Sequence, residues 1–244
     1  MHRVLIPPEA ICGDHITLDD AVTVHHLLRV VRVKVGEPLE CFDGSGRVYR
    51  GPILQCKHQA LTVAIETRTT VPPPHPALVL AQALIQPQRF DWVIQKATEL
   101  GVTRVIPLVT SRTTIRPTPH GDGQQLRRWR RIAQEATAQC RRATLPTIEE
   151  PQRFESLLKW LTARDVLMPT LVEGGASIQE FLGQRNWRDE IIVLIGPEGD
   201  FSPEEVVLAK RAGVRMVSLG HATLRSETAA IVTLAILQHA LGVL

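Results

Sequence analysis

Three consecutive prolines, Pro72-Pro73-Pro74, with a further one at Pro76, interrupt this 244-residue chain. Each proline fixes its own φ and lacks a backbone N–H, so neither a helix nor a central strand can run through them. The sequence is therefore expected to fold in two parts, 1–70 and 77–244, joined by an extended, semi-rigid linker at 71–76. Before the prolines, Leu39–Phe42, Arg47–Tyr49, Ile53–Gln55 and Leu61–Ile65 read as short strands, with Asp43-Gly44-Ser45-Gly46 as a turn. With one helix near Ala21–Leu28, this part is expected to be a small β-barrel.

After the prolines the pattern changes. Apolar runs at Leu78–Ala83, Val105–Val109, Val166–Leu167, Ile191–Ile195 and Met216–Leu219 read as strands. Helical periodicity marks Arg89–Leu100, Leu126–Cys140, Phe154–Leu161, Pro203–Ala212 and Thr228–Gly242. Such alternation predicts an α/β domain with a parallel sheet and helices on both faces. The last helix is apolar on nearly all sides, which suits a core or a subunit interface.

Charge and composition narrow the function classes. Between Leu126 and Arg142 stand six arginines (127, 128, 130, 131, 141 and 142) against one acid, Glu135, an excess larger than the net +3 of the whole chain. Arginine suits bidentate phosphate contact and stacking on bases, so this helix is a candidate nucleic-acid surface, set against the plain alternative of a solvated face. Leu126, Trp129, Ile132 or Ala133, and Ala136 share the opposite face. The apolar stretches Ala77–Ile85 and Ala229–Leu237 fall well short of the roughly 20 residues of a membrane span, and prolines break up the N-terminus where a signal core would lie. A cytoplasmic protein is expected. Cys12, Cys41, Cys56 and Cys140 are scattered without metal-ligand spacing, so reduced thiols and no metal are expected.

Ligands of parallel sheets sit beyond the carboxyl ends of the strands, and two loops there draw notice. The first, Gly196-Pro197-Glu198-Gly199-Asp200-Phe201, follows an apolar strand and leads into Ser202-Pro203-Glu204-Glu205, a capping box. Its glycines permit close approach of a ligand, although a plain strand–helix turn would also use them. No phosphate-loop signature is present, which favours a nucleoside held by backbone groups. The second, Leu219-Gly220-His221-Ala222-Thr223-Leu224-Arg225-Ser226-Glu227-Thr228, enters the final helix with Ser226 or Thr228 as expected N-cap. Arg225 and Glu227 are the reactive candidates here, or else an ordinary surface pair. Glu227 could equally bond the helix-start amides.

These loops, together with Gln95-Lys96-Ala97-Thr98-Glu99-Leu100-Gly101-Val102, closely resemble the ribosomal RNA small subunit methyltransferase E family of the SPOUT class. The resemblance extends over nearly the whole chain, through His25-His26-Leu27-Leu28-Arg29-Val30-Val31-Arg32, Phe42-Asp43-Gly44 and Glu135-Ala136-Thr137-Ala138-Gln139-Cys140. It implies an N-terminal PUA-like barrel, then a SPOUT domain tied in a trefoil knot, acting as a homodimer. The implied reaction is methylation by S-adenosylmethionine of N3 of a uridine in the decoding region of 16S rRNA on the small ribosomal subunit. Other RNA acceptors (a ribose 2′-hydroxyl or a tRNA base) and a non-catalytic RNA-binding role are the alternatives.

Carried over by position, the resemblance implies a cofactor pocket of Ile195, Gly196, Pro197, Glu198, Gly199, Leu219, Gly220, Leu224, Thr228 and Ala229, with Leu171, Val172 and Glu173 on a third side. It implies reaction-side roles for Arg225 and Glu227. Arg29, Arg32, Arg112, Arg127, Arg128, Arg130, Arg131 and Arg142 are the expected RNA contacts. Asp200 and Arg141 stand where glycine is common in the family, Ala222 where arginine is usual, and Ser111 where glutamate is common.

Overall fold

The computed structural model describes residues 1–57, 59–115, 123–161, 164–170, 176–183 and 187–244. It divides into two compact units, Met1–Pro73 with Thr137–Leu145, and Pro74–Ala136 with Pro146–Leu244.

The first unit contains strands β1 (His2–Leu5), β2 (Ile11–Cys12) and β3 (His15–Leu18), helix α1 (Ala21–His25), and strands β4 (Pro38–Phe42), β5 (Arg47–Lys57), β6 (Ala60–Ala64) and β7 (Thr67–Thr70). They form one sheet in the order β1-β4-β5-β6-β3-β2, with β7 also on β5. Strands expected separately at 47–49 and 53–55 are the single strand β5, whose register shifts between Ile53 and Gln55. Gly51 is required within it, because an added Cβ would lie 2.0 Å from the Ala64 carbonyl oxygen. Helix α1 is shorter than expected and continues as a π-helical turn, His26–Val31, that closes on left-handed Arg32. A core of Ile6, Ile16, Leu27, Leu39, Ile53 and Leu61 is nearly water-free.

Residues 137–145 belong to this unit for visible reasons. Ala143 packs on buried Phe42 and Val48, Leu145 N–H donates to the Gly44 carbonyl at 2.8 Å, and Ser45 bridges Thr144. The four cysteines are free thiols. Cys41 is buried, and burial, with the Glu40 charge beside it, pushes its pKa up to about 12.

The second unit alternates as expected: β8 (Ala77–Ala83), α2 (Pro87–Glu99), β9 (Arg104–Val109), α3 (Gln124–Gln139), β10 (Thr147–Ile148), β11 (Gln152–Arg153), α4 (Phe154–Leu158), β12 (Asp165–Pro169), β13 (Ala176–Ser177), α5 (Ile178–Leu182), β14 (Glu190–Ile195), α6 (Pro203–Arg211), β15 (Arg215–Ser218) and α7 (Ser226–Ala240). The sheet runs β10-β9-β8-β14-β12-β15-β13, with β11 on β9, and its pairings are parallel. Side chains alternate between two dry faces. Leu78, Leu80, Ile191, Val193 and Ile195 meet the helical residues Phe90, Trp129, Phe181 and Leu234. Val79, Ala81, Ile192 and Leu194 meet Phe154, Leu157, Val206 and Ala209. Each buried valine, leucine, isoleucine or phenylalanine among these is worth roughly 1.5–3 kcal/mol, against under about 1 kcal/mol for an exposed ion pair such as Arg131–Glu135. Packing holds this sheet, and surface charge contributes little.

The inward face of α3 is the one its spacing predicts, with Trp129, Ala133 and Ala136 buried. The start of α7 differs from expectation. Its N-cap is Arg225, without a side-chain cap, and neither Ser226 nor Thr228 plays that part. The Ser226 hydroxyl is committed elsewhere, to the Gly196 carbonyl at 2.6 Å. From β15, outside β12 in the sheet, the chain returns so that α7 lies over α2, β14 and β8.

Candidate cofactor-binding and catalytic site

A cavity of about 370 Å³ opens where β12, β14 and β15 end, beside the first turn of α2. That volume lies within the roughly 300–1,000 Å³ of small-molecule sites. Ile195, Gly196, Pro197, Glu198, Leu219, Gly220, Leu224, Arg225 and Ala229, all expected from the sequence, line it. Gly199, Glu227 and Thr228 are not among the lining residues. Leu171, Val172 and Glu173 lie outside the described residues.

The first loop is stitched at almost every residue. Gly196 sits so tightly that an added Cβ would lie 3.1 Å from Asp200 Oδ1 and 3.2 Å from the Phe201 ring. Asp200 is left-handed, with φ at +58°. Its Oδ1 accepts the Phe201 N–H at 2.8 Å, and its Oδ2 accepts the Thr170 hydroxyl at 3.1 Å. Aspartate tolerates this conformation better than most residues, but glycine adopts it freely. Arg141 is left-handed too, at φ +62°. Both positions where the resemblance implies a glycine thus have a backbone that favours one. Arg112 donates to the Gly199 carbonyl at 2.7 Å.

The expected capping box is present, Ser202 with Glu205. Buried Glu205 also accepts the Ser111 N–H at 2.7 Å, tying the end of β9 to the loop. The neighbouring Glu204 carboxyl is held below its ordinary value by hydrogen bonds to its own backbone and to Ser202, helped by the Arg112 charge.

The second loop is built differently. Gly220 takes φ +116°, and an added Cβ would meet nothing within 4 Å. Residues 220–223 are exposed. Over 219–224 the bonds among the described residues are local ones between Ser218 Oγ and Gly220, and longer ties begin only at Ser226, with the Gly196 carbonyl.

The carboxylate of Glu227 faces Arg89, at 3.7 Å from Nε, and Arg89 Nη1 is also 3.7 Å from Glu198 Oε1. Both separations exceed hydrogen-bond range, so the guanidinium stands between two carboxylates without being locked to either. Glu227 Oε2 is buried without a hydrogen-bond partner, so the helix-start amides do not hold it. Sequence reasoning missed Arg89, Pro169, Thr170, Asp200 and Ser226 as lining residues. Arg89 had a signal, a cation opening an expected helix; Thr170 was visible only as the residue following a strand.

The expected RNA contacts are spread over both units. Arg29 and Arg32 are exposed on the first. On the second, Arg127, Arg128, Arg130 and Arg131 are exposed, with Arg128 paired to Asp91 and Arg131 to Glu135. Arg112 is exposed but engaged by Gly199. Arg142, in the first unit, is half-buried, bonds Thr144, and has its pKa lowered by burial.

Residues 72–238 match the model of an RNA methyltransferase domain and residues 18–66 that of an RNA methyltransferase PUA domain. The chain is therefore an RNA methyltransferase by class, with a PUA domain at its N-terminus. It is 32% identical over 238 residues to the ribosomal RNA small subunit methyltransferase E of Synechocystis, covering 96% of this chain and 76% of that protein. It belongs to the ribosomal RNA small subunit methyltransferase E family. A Legionella pneumophila methyltransferase solved with S-adenosylmethionine superposes with a TM-score of 0.86 at 29% identity, covering 98% of this chain and 97% of the other. The Neisseria gonorrhoeae family member bound to S-adenosylmethionine gives 0.86 at 27% identity, with the same coverage of both chains.

Proposed function

We propose that the protein transfers a methyl group from S-adenosylmethionine to N3 of one uridine in the decoding region of 16S rRNA, on the small ribosomal subunit. The observation that carries the reading is the grouping of Arg89, Glu198 and Arg225 on the lining of a cavity of cofactor size, with Glu227 just behind it, facing Arg89. The cavity suits this cofactor: apolar Ile195, Leu219 and Leu224 fit a base, Glu198 and Asp200 fit cationic groups, and the cramped Gly196 keeps the floor open. Bound there, S-adenosylmethionine supplies an activated methyl for in-line displacement by a nucleophile.

Uracil N3 carries a proton that must leave before its lone pair can attack. Glu227 is the group assigned to accept it, through the carboxylate that faces the cavity-lining Arg89. Arg225 and Arg89, both on the cavity lining, stabilise the negative charge left on the ring carbonyls. Positioned proton transfer of this kind contributes typically about 10²–10⁴-fold. The exposed arginines of α3, with Arg29 and Arg32, grip neighbouring RNA backbone while the target base is extruded. Of their present partners, Glu135 forms an exposed pair with Arg131 worth under about 1 kcal/mol, easily exchanged for phosphate, whereas the largely buried Asp91 accepts two bonds from Arg128.

We further assign a cytoplasmic homodimer, supported by the half-buried apolar residues Ile231, Val232, Ala235 and Ile236 on α7, and a trefoil knot, supported by the return of α7 to the middle of the sheet. The test is nucleoside mass analysis of subunits lacking the modification after incubation with enzyme and cofactor. N3-methyluridine is expected from the native protein, and a rate lower by roughly 10²-fold or more from Glu227→Gln at unchanged cofactor affinity. A 2′-O-methyl product overturns the N3 assignment, and full turnover by Glu227→Gln overturns the base.

A further inference from the structure

One strongly buried polar group has no part in the chemistry above. Gln82 is the single polar residue of β8 and is fully buried. Its Nε2 donates to Ser226 Oγ at 2.9 Å and to the Ala83 carbonyl at 3.1 Å. Ser226 in turn donates its hydroxyl proton to the Gly196 carbonyl at 2.6 Å. The direction of the relay is fixed by chemistry. A carbonyl can only accept, so Ser226 must donate to Gly196, and the Gln82 atom facing Ser226 must be the amide nitrogen. The amide oxygen is then left buried with no donor. An apolar residue would fill this strand position without that desolvation cost, so stability does not explain the glutamine.

The relay does explain it, because it joins three segments that converge on the cavity: the end of β8, the start of α7 and the first residue of the 196–202 loop. We infer that Gln82 is a positioning residue for cofactor binding, acting through Ser226 to fix the plane of the Gly196 peptide. Gly196 has no side chain to anchor it, Pro197 has no N–H to donate, and the next tie in the loop is the Asp200 N–H to the Pro197 carbonyl. Without the relay, the Gly196 carbonyl that floors the cavity loses its hydroxyl donor. The inference rests on the chain binding S-adenosylmethionine and is independent of which RNA atom is methylated.

The test compares the full-length protein with Gln82→Met, Ser226→Ala, Ser226→Thr and the double variant Gln82→Met/Ser226→Ala. S-adenosylmethionine affinity is read by calorimetry and stability by thermal melting. Gln82→Met and Ser226→Ala each weaken binding about tenfold, the worth of roughly one good hydrogen bond. Melting temperatures stay within about 3 °C of the native protein or rise. Ser226→Thr, which keeps the hydroxyl, restores the loss, and the double variant loses no more than either single change because one relay is broken once. KM for the RNA does not move. Native affinity in both single variants, additive losses, or losses that track melting temperature overturn the inference. Should Gln82→Met fail to fold, the contrast between Ser226→Ala and Ser226→Thr decides alone. Native protein that takes up no S-adenosylmethionine overturns the cofactor reading and this inference together, whereas native binding with unmoved variants overturns this inference only.

Discussion

The loops at residues 196–202 and 219–225 border the same cavity, and their construction is opposite. The first is pinned by Ser226, Arg112, Thr170 and Glu205, with Gly196, Pro197, Phe201 and Ser202 buried. The second is largely exposed and, among the described residues, held by short local bonds. Many buried ties raise the free energy of local opening, and few lower it. One wall of the site is braced by the fold; the other is held by few bonds.

The largest effect should come from crowding the rigid wall. Gly196→Val places carbon where even a Cβ lies 3.1–3.2 Å from its neighbours, and S-adenosylmethionine affinity should fall between about 10- and 100-fold by calorimetry. Unchanged affinity would mean that this wall yields after all. Gly220→Ala tests the opposite case. No atom obstructs the new methyl, but φ +116° strains any side chain, at a cost of about 1–2 kcal/mol that a loose loop relieves in part by shifting. A loss of roughly fivefold is expected, and a loss above that of Gly196→Val would reverse the comparison.

Arg112→Ala removes the donor to the Gly199 carbonyl, an exposed contact. About a threefold loss is expected, together with faster hydrogen exchange at 198–201 and none at 219–225. The smallest effect is one of pH. Glu204 has its carboxyl pKa depressed in the folded state, so it stabilises the loop–helix junction fully above its ordinary value of 4.5 and progressively less as pH falls through the lowered one. The melting temperature of Glu204→Gln should lie slightly below native at neutral pH and merge with it in acid.

How much of this was visible in the residues follows the distance over which the information is carried. Strand β14 announced itself as Ile191–Ile195 because a central strand buried on both sides is continuously apolar. The capping box at Ser202 and Glu205 is a pattern four residues long, and it was legible. The Gln82–Ser226 bond joins residues 144 positions apart, and periodicity carries nothing about it. Arg89 meeting Glu227 is of the same kind, since no local spacing joins the two residues. Short strands such as β2 and β10 are too brief for alternation to register, and β5 looked like two strands because Gly51-Pro52 and a bulge interrupt it. Asp200 and Arg141 show the resemblance carrying what spacing did not. A family glycine replaced by a larger residue marked a left-handed backbone each time.

The N-terminal unit completes itself with a stretch recruited from far down the chain, Ala143 against Phe42 and Val48, and Leu145 against Gly44. Severing the polypeptide at the prolines would therefore leave an aromatic surface uncovered and a turn without its partner. As an evolutionary consequence, this PUA module is not a portable cassette. It cannot be shuffled onto another enzyme by a single recombination, and inheritance of both halves together is built into the path of the backbone.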